Sequence, residues 1–243
     1  MDNIPFLIWY IPVAVICYLV SAFIHELGHV IVSLRYGWKL SLLIIGPIGI
    51  KRSENNKLNF YLEKRPIMWG GAAFATPVYE CKDNLKIFSK SLLGGPIASI
   101  VAGCVFLLVC LFHFHLVWLL LGIMPLLMGI VCLLPMKNGF TYTDGKRWSR
   151  LRNGGQDEAE EVALWKLMER DIFKKDVSTL QLEDFEALLN AKLPEHRYYG
   201  HYYQYLYYSF QNDVENTKKA LDVLQAMKKG VSKIVVDECK LDL

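Results

Sequence analysis

The sequence lacks the patterns that identify several common classes of protein. None of its six cysteines forms a C-x-x-C pair, and four lie inside apolar runs. Neither a disulfide framework nor a cysteine zinc cluster is therefore expected, and we expect these cysteines to pack as small hydrophobic side chains. The net charge of +3 is too small to indicate a nucleic-acid-binding protein. The start of the chain has no basic segment of the kind that opens a secretory signal peptide.

Charge is scarce in the first part of the 243-residue chain and concentrated in the last third. Hydrophobic residues make up 53% of the sequence and charged residues 21%, and nearly all long apolar runs lie before residue 136. This asymmetry predicts two parts. We expect a transmembrane core over residues 1–152 and a cytosolic helical domain over residues 153–243.

Three apolar runs, residues 4–34, 92–111 and 116–135, are long enough to cross a bilayer, for which about 20 residues suffice. A fourth run, residues 67–78, is short and rich in glycine, so we interpret it as a re-entrant or interfacial segment. Ten lysines and arginines lie in the connection 35–90, whereas the turn between the second and third runs holds none. The positive-inside rule then predicts that the N-terminus lies outside the cell and the C-terminus in the cytosol.

The charged connection and the last third carry patterns of their own. Residues 38–50 and 57–62 are rich in β-forming residues, which predicts a membrane-associated β-hairpin or small sheet. Helical periodicity predicts helices at residues 157–173, 182–191, 195–210 and 213–229. The expected fold is an α-helical polytopic membrane protein with a three-helix transmembrane core, this hairpin or sheet, and a cytosolic helical domain.

A tyrosine-rich stretch, residues 198–208, lies in one of the predicted helices of the last third. Aromatic residues spaced along a helix are usually core residues, so we expect them to pack inside the helical domain. The alternative is that they form a docking face, which would make a protein partner for the C-terminal helices possible.

The first apolar run contains His25-Glu26-Leu27-Gly28-His29, an HExxH motif. On a helix, residues four apart lie on one face, so the two imidazoles can bind a single metal ion. The carboxylate of Glu26 can then reach a water on the metal and act as a general base. A charged group inside a membrane helix costs at least about 2.5–3.5 kcal/mol, which favours a functional centre over a structural polar patch.

A catalytic zinc ion needs a third protein ligand and an open position. The two histidines in the turn between the second and third runs lie about one bilayer thickness from His25, so they are too far away to bind the same metal ion. Asp144 follows the cytosolic end of the third run, in an Asp-Gly pair that elsewhere would indicate only a turn. We predict Asp144 as the third ligand, and Glu80 and Asp83 are the alternatives.

These features resemble the site-2 protease family of intramembrane zinc metalloproteases over residues 4–150. The motifs that carry the resemblance are HExxH in the first run, Gly95-Pro96 near the start of the second, and Leu133-Leu134-Pro135 followed by Asp144-Gly145. The resemblance implies Zn²⁺ as the cofactor, held by His25, His29 and Asp144, with Glu26 as the general base. It also implies hydrolysis of a peptide bond within the membrane or at its edge.

The resemblance further implies how a substrate is received. In that family a membrane-facing sheet near the active site is thought to receive an unwound substrate, and Leu40–Ile50 is the matching segment, acting by strand addition. The candidate substrate-binding residues are Gly46, Pro47, Gly95, Pro96 and Asn138. Asn138 is included because Cys132 stands where the family commonly has asparagine, and the interval from Pro135 to Asp144 is longer than usual.

The expected function is hydrolysis of a membrane-spanning or membrane-inserted peptide near the cytosolic leaflet. The setting is either regulated proteolysis of a membrane-anchored regulator or maturation of a small exported peptide. The expected partners are the lipid bilayer and a membrane-embedded peptide or single-span protein, without nucleic acid. The alternatives are a catalytically inactive accessory or immunity protein that keeps the fold, and a metal-ion transporter that uses the histidines as a transit site.

Overall fold

The computed structural model of the chain describes residues 10–53, 55–79, 81 and 83–239. Two units can be distinguished in it. The first comprises the chain up to Pro135 together with Thr143–Trp148, and the second comprises Met136–Tyr142 and the chain from Ser149 onward. The domain boundary after residue 152 stays a prediction.

Three helices of the first unit are long and apolar enough, by length and composition, to cross a bilayer. They are α1 (Tyr10–Arg35), α2 (Asn84–Phe112) and α3 (Leu116–Leu133). The three predicted apolar runs correspond to these helices, although the part of the first run before residue 10 lies outside the described residues. Large apolar side chains are exposed on all three helices, as expected for surfaces that face lipid tails.

Glycines bring the three helices into backbone contact. A Cβ atom on Gly94 of α2 would lie 2.5 Å from the carbonyl oxygen of Gly28 in α1. A Cβ atom on Gly129 of α3 would lie 2.6 Å from the carbonyl oxygen of Pro96 in α2. Small residues allow such close crossings in membrane helices. The helix that carries the HExxH motif is therefore packed tightly against α2.

A four-stranded antiparallel sheet lies between α1 and α2 in the chain, and the small sheet expected from the sequence is confirmed. Its strands are β1 (Lys39–Ile45), β2 (Ile48–Arg52), β3 (Leu58–Leu62) and β4 (Ala72–Thr76), in the spatial order β3-β2-β1-β4. The segment interpreted as re-entrant or interfacial forms a 3-10 turn (Pro66–Gly70) and then β4. The association of this sheet with the membrane stays a prediction.

The remaining elements are a short hairpin and a series of helices. They are β5 (Lys137–Asn138), β6 (Thr141–Tyr142), α4 (Asp144–Asn153), α5 (Gly155–Phe173), α6 (Glu186–Leu189), α7 (Pro194–Phe210), α8 (Val214–Met227) and α9 (Lys233–Glu238). Three of the four helices predicted in the last third are present. The prediction of a helix over 182–191 is wrong, because that stretch forms a 3-10 turn and then the single-turn α6.

The tyrosines of α7 pack in the core of the second unit, which confirms the core interpretation. Tyr198 and Tyr203 are buried in two neighbouring hydrophobic clusters. The hydroxyl of Tyr203 donates a hydrogen bond to Asp171 (2.5 Å), and that of Tyr199 donates to Glu238 (2.7 Å). These bonds satisfy phenol groups that would otherwise be buried at a cost.

The six cysteines are all free, as the sequence predicted, but they are not all buried. Cys17, Cys110 and Cys239 are buried and pack as small hydrophobic side chains. Cys81 and Cys104 are exposed, so the expectation of burial was wrong for these two. Cys104 lies on α2 among other exposed apolar side chains.

Candidate metal centre

Helix α1 places the HExxH residues on one buried stretch of its surface. His25 and Glu26 are buried, and His29 is partly buried one turn further along. The Nε2 atoms of His25 and His29 are 3.3 Å apart. The four-residue spacing therefore brings two imidazole nitrogens to one point, as the sequence predicted.

Asp144, the first residue of α4, meets this pair. Its Oδ2 atom lies 3.2 Å from Nε2 of His25 and 3.6 Å from Nε2 of His29. Burial alone would raise the pKa of the Asp144 carboxyl, but the imidazoles of His29 and His25 outweigh that effect and hold the pKa below its ordinary range. Three ligand-type atoms from two distant parts of the chain thus converge.

The chemistry and spacing of these atoms fit a zinc ion. Metal–ligand bonds of 2.0–2.2 Å at tetrahedral angles separate two nitrogen or oxygen ligands by about 3.3 Å. The observed separations of 3.2, 3.3 and 3.6 Å form a triangle of that size. The three atoms can each offer a lone pair to a metal ion placed between them.

Each imidazole is oriented by a partner on α2. Nδ1 of His29 lies 2.7 Å from the carbonyl oxygen of Ser91, so it must donate a proton, and the neutral ring keeps its Nε2 lone pair for a ligand. Nδ1 of His25 lies 3.0 Å from the hydroxyl oxygen of the buried Ser99. Metal-binding histidines commonly use their second nitrogen in this way. Nothing in the spacing of these two serines indicated that they would be partners of the histidines.

The carboxylate of Glu26 points toward the start of β4. It accepts a hydrogen bond from the backbone N–H of Ala73. A Cβ atom on Gly71, whose φ is +113°, would lie 2.7 Å from Oε1 of Glu26. Only glycine leaves room for the carboxylate there, and no spacing in the sequence indicated this contact.

Asp144 is held in place by a close contact between α4 and the end of α3. A Cβ atom on Gly145 would overlap the carbonyl oxygen of Leu133, so only glycine allows this approach. The hydroxyl of Thr143 also donates a hydrogen bond of 2.5 Å to the carbonyl oxygen of Leu134. The Asp-Gly pair is therefore the start of a helix packed on α3.

The five predicted substrate-binding residues lie in different parts of the chain. Gly46 and Pro47 form the turn between β1 and β2, and Asn138 is exposed in β5. Gly95 lies against the ring of His29, and a Cβ atom there would overlap the imidazole. Pro96 is fully buried in α2. Their contact with substrate stays a prediction.

The predicted role of Leu40–Ile50 as the strand that accepts a substrate was wrong. This segment covers β1 and the start of β2, and both edges of β1 are already paired, with β2 on one side and β4 on the other. Strand β2 is likewise paired with β1 and β3. Since a strand adds only to an open edge, β3 and β4 are the available strands of this sheet.

The alternative third ligands differ from Asp144 in their surroundings. Asp83 is exposed, and its carboxylate pairs with Lys86 at 3.1 Å. Glu80 lies outside the described residues. Cys132, in contrast, forms a group with His25 and Asp144 in which each residue offers a ligand atom within 4.8 Å of the other two.

The family comparison agrees with this site. A sequence model of peptidase family M50 matches residues 13–241, so the match extends through the C-terminal helices that the motifs did not cover. No curated protein and no solved structure matches the chain significantly. Because the matched region covers almost the whole chain, the protein belongs to peptidase family M50, the site-2 protease family of metallopeptidases.

Proposed function

We propose that this protein is an intramembrane zinc metalloprotease that cuts a peptide bond near the cytosolic leaflet. The observation that carries the proposal is the convergence of His25, His29 and Asp144 beside the carboxylate of Glu26. The helix that bears three of these residues is long and apolar enough to cross a bilayer. A polytopic protein in a bacterial plasma membrane, with its C-terminus in the cytosol, fits the basic residues between α1 and α2.

His25, His29 and Asp144 would hold the metal, and their partners on α2 keep the two rings in position. A bound zinc ion supplies Lewis acidity, which polarises the scissile carbonyl and makes water a better nucleophile at neutral pH. Glu26 accepts a proton from the attacking water as the oxygen bonds to the carbonyl carbon. It then delivers that proton to the amide nitrogen as the carbon–nitrogen bond breaks, leaving an acid and an amine.

The open edge of β4 is the proposed receiving strand for substrate. Its second residue, Ala73, donates its backbone N–H to Glu26, so a peptide lying along this edge would pass the general base. A membrane helix hides its amides in internal hydrogen bonds and must unwind before hydrolysis. Pairing with β4 would replace the hydrogen bonds that unwinding breaks.

These features favour a single-span protein or a membrane-inserted peptide as substrate. A helix-breaking residue or a free end near the cytosolic leaflet would lower the cost of unwinding such a segment. Both regulated proteolysis of a membrane-anchored regulator and maturation of a small exported peptide supply substrates of this kind.

The proposal is tested with purified protein in proteoliposomes and a panel of single-span peptides that carry a proline or glycine near the cytosolic end. We expect E26Q to lose at least about 100-fold in cleavage rate while keeping its bound zinc, since Glu26 acts on protons and is not a ligand. E215Q is the matched control, because Glu215 is exposed on α8. Equal cleavage by E26Q and wild type would refute the proposal, and so would zinc uptake into the vesicles without cleavage of any peptide.

The assignment of the third ligand is tested by metal analysis. We expect D144A to lose most of its zinc, because the substitution removes the only carboxylate ligand of the proposed site. D83A removes an exposed carboxylate of the first unit and should keep the metal content of the wild type. Zinc retained by D144A and lost from D83A would reverse the assignment.

A further inference from the structure

Cys132 lies in the last turn of α3, beside the proposed metal ligands. His25, Cys132 and Asp144 each present a ligand atom within 4.8 Å of the other two. In the described part of the chain, no other cysteine joins a group of this kind. The thiol is therefore a further donor within 4.8 Å of two of the three proposed ligands, His25 and Asp144.

The fold keeps this cysteine next to Asp144. The backbone contact between Gly145 and Leu133 packs the first turn of α4 directly on the residue that follows Cys132. The residue before Asp144, Thr143, donates a hydrogen bond to the carbonyl oxygen of Leu134, which also holds the start of α4 against the end of α3. The aspartate and the thiol are thus presented together by two adjoining turns.

The 4.8 Å limit on the distance from the Cys132 sulfur to its two neighbours can be compared with the distance between two ligands of one ion. Zinc–sulfur bonds of about 2.3 Å and zinc–nitrogen bonds of about 2.0–2.1 Å place sulfur and nitrogen ligands about 3.5 Å apart in a tetrahedral site. The 4.8 Å limit leaves at most about 1.3 Å for the side chains to close. Thiolate is also among the strongest protein ligands for zinc.

We propose that the Cys132 thiolate is a fourth protein ligand of the metal in the resting protein. The inference rests on the proposed function, because it requires a metal held by His25, His29 and Asp144. On binding, the thiol would release its proton to solvent and supply a sulfur electron pair to the metal, so no oxidant or reductant is needed.

Ligation by Cys132 would make the resting site latent. Four protein ligands close a zinc site, whereas catalytic sites keep one position open. An incoming substrate carbonyl would displace the sulfur, which then takes a proton back from solvent. Until such a carbonyl enters, the metal would lack the open position that hydrolysis requires.

Cobalt substitution tests the proposal by a readout that does not depend on catalysis. With Co²⁺ in place of zinc, the wild type should show a thiolate-to-cobalt charge-transfer band in the near ultraviolet. C132S should lack the band and bind Co²⁺ at least about tenfold more weakly. C104S is the matched control, since Cys104 is exposed elsewhere on a membrane helix, and it should keep both the band and the affinity.

Alkylation of the wild type provides a second test that requires no variant. We expect Zn²⁺ to slow the reaction of Cys132 with iodoacetamide at least about tenfold, because a bound thiolate is a poorer nucleophile. The exposed Cys104 should react equally fast with and without zinc, as read by mass spectrometry of the peptides. If the protein binds cobalt but shows no thiolate-to-cobalt band, and zinc does not slow alkylation of Cys132, the inference is overturned. The proposed function would be unaffected by that result. Failure of the wild type to bind cobalt or zinc would overturn the proposed function as well.

Discussion

The Nδ1 atom of His25 lies 3.0 Å from the hydroxyl oxygen of Ser99, which is 74 residues later in the chain. Both side chains are buried, so water cannot replace this contact without entering the helix packing. A serine hydroxyl that accepts from Nδ1–H leaves Nε2 of the ring free to bind a metal. Ser99 therefore orients His25 without approaching the proposed metal position itself.

We predict that S99A weakens zinc binding by about 10- to 100-fold, the usual effect of removing a partner of a metal-binding histidine. The measurement is a competition titration with a zinc chelator. S21A is the matched control, because Ser21 is equally buried and its hydroxyl donates to the carbonyl oxygen of Cys17 within the same helix. Equal zinc affinity of S99A and wild type would show that helix packing alone orients the ring.

The contact between Gly145 and Leu133 gives a second prediction. A methyl group on residue 145 would overlap the Leu133 carbonyl oxygen, so G145A must push the start of α4 away from α3. Because Asp144 is the preceding residue, we expect G145A to lose at least half of its bound zinc and to melt at a lower temperature.

The control for this variant is G230A. Among the described residues, no atom lies within 4 Å of a Cβ added to Gly230, so that substitution should change neither zinc content nor melting temperature. Zinc content and thermal unfolding of the two purified variants are compared with those of the wild type. A G145A protein with full zinc content would mean that Asp144 tolerates a shift of its helix.

The sequence could predict the parts of the site that depend on local spacing, but not the parts that depend on long-range contacts. The four-residue spacing of His25 and His29 specifies their common face, because helical periodicity is local. The partners Ser91 and Ser99 are small residues in an apolar run, and nothing in their spacing distinguishes them from packing residues. Their role depends on the crossing of α1 and α2, which is set by glycine contacts that sequence patterns do not resolve.

Prediction of the fold from the sequence was limited in the same way, by contacts between distant residues. The apolar runs predicted α1, α2 and α3 because a helix long and apolar enough to cross a bilayer leaves a long signal in the sequence. Strand β4 was missed because Ala72–Thr76 is short and rich in small residues, so its pairing with β1 decides its conformation. The helix that begins at Asp144 was missed because Asp-Gly usually marks a turn, whereas here the glycine permits a close helix contact.

Glu63, which precedes the 3-10 turn leading to β4, predicts a pH dependence. Its carboxylate accepts hydrogen bonds from the backbone and side chain of Arg65, both at 2.9 Å. These bonds outweigh the effect of burial and lower the pKa of Glu63 from 4.5 to about 2. The stabilisation is therefore complete above the ordinary pKa and disappears as the pH falls toward the lowered value.

We expect the difference in melting temperature between wild type and E63Q to shrink as the pH is lowered from about 5 to about 3. The comparison uses thermal unfolding of both proteins in the same detergent. D83N is the control, because the carboxylate of Asp83 is exposed and should contribute little at any pH. A difference that grows on acidification would contradict the assigned role of the Glu63 carboxylate.

Arg150 holds three carboxylates in the second unit. Its guanidinium lies 2.8 Å from Glu161 and 3.0 Å from Asp157, and it also pairs with Glu160. Burial alone would lower the pKa of Arg150, but the surrounding carboxylates raise it above its ordinary value. Tyr142 completes the cluster, with its ring centroid 4.8 Å from the guanidinium carbon.

Replacement of Arg150 should destabilise the second unit strongly. R150M leaves Glu160 and Glu161 buried without their cation, which costs about 3–5 kcal/mol. Full-chain unfolding is followed by circular dichroism, with K219A as the control, because Lys219 and Glu215 form an exposed pair whose loss should leave the transition unchanged. Since the penalty comes from buried charge, the triple variant carrying R150M, E160Q and E161Q should recover at least half of the lost stability. If it remains as unstable as R150M, packing of the arginine side chain rather than its charge stabilises the unit.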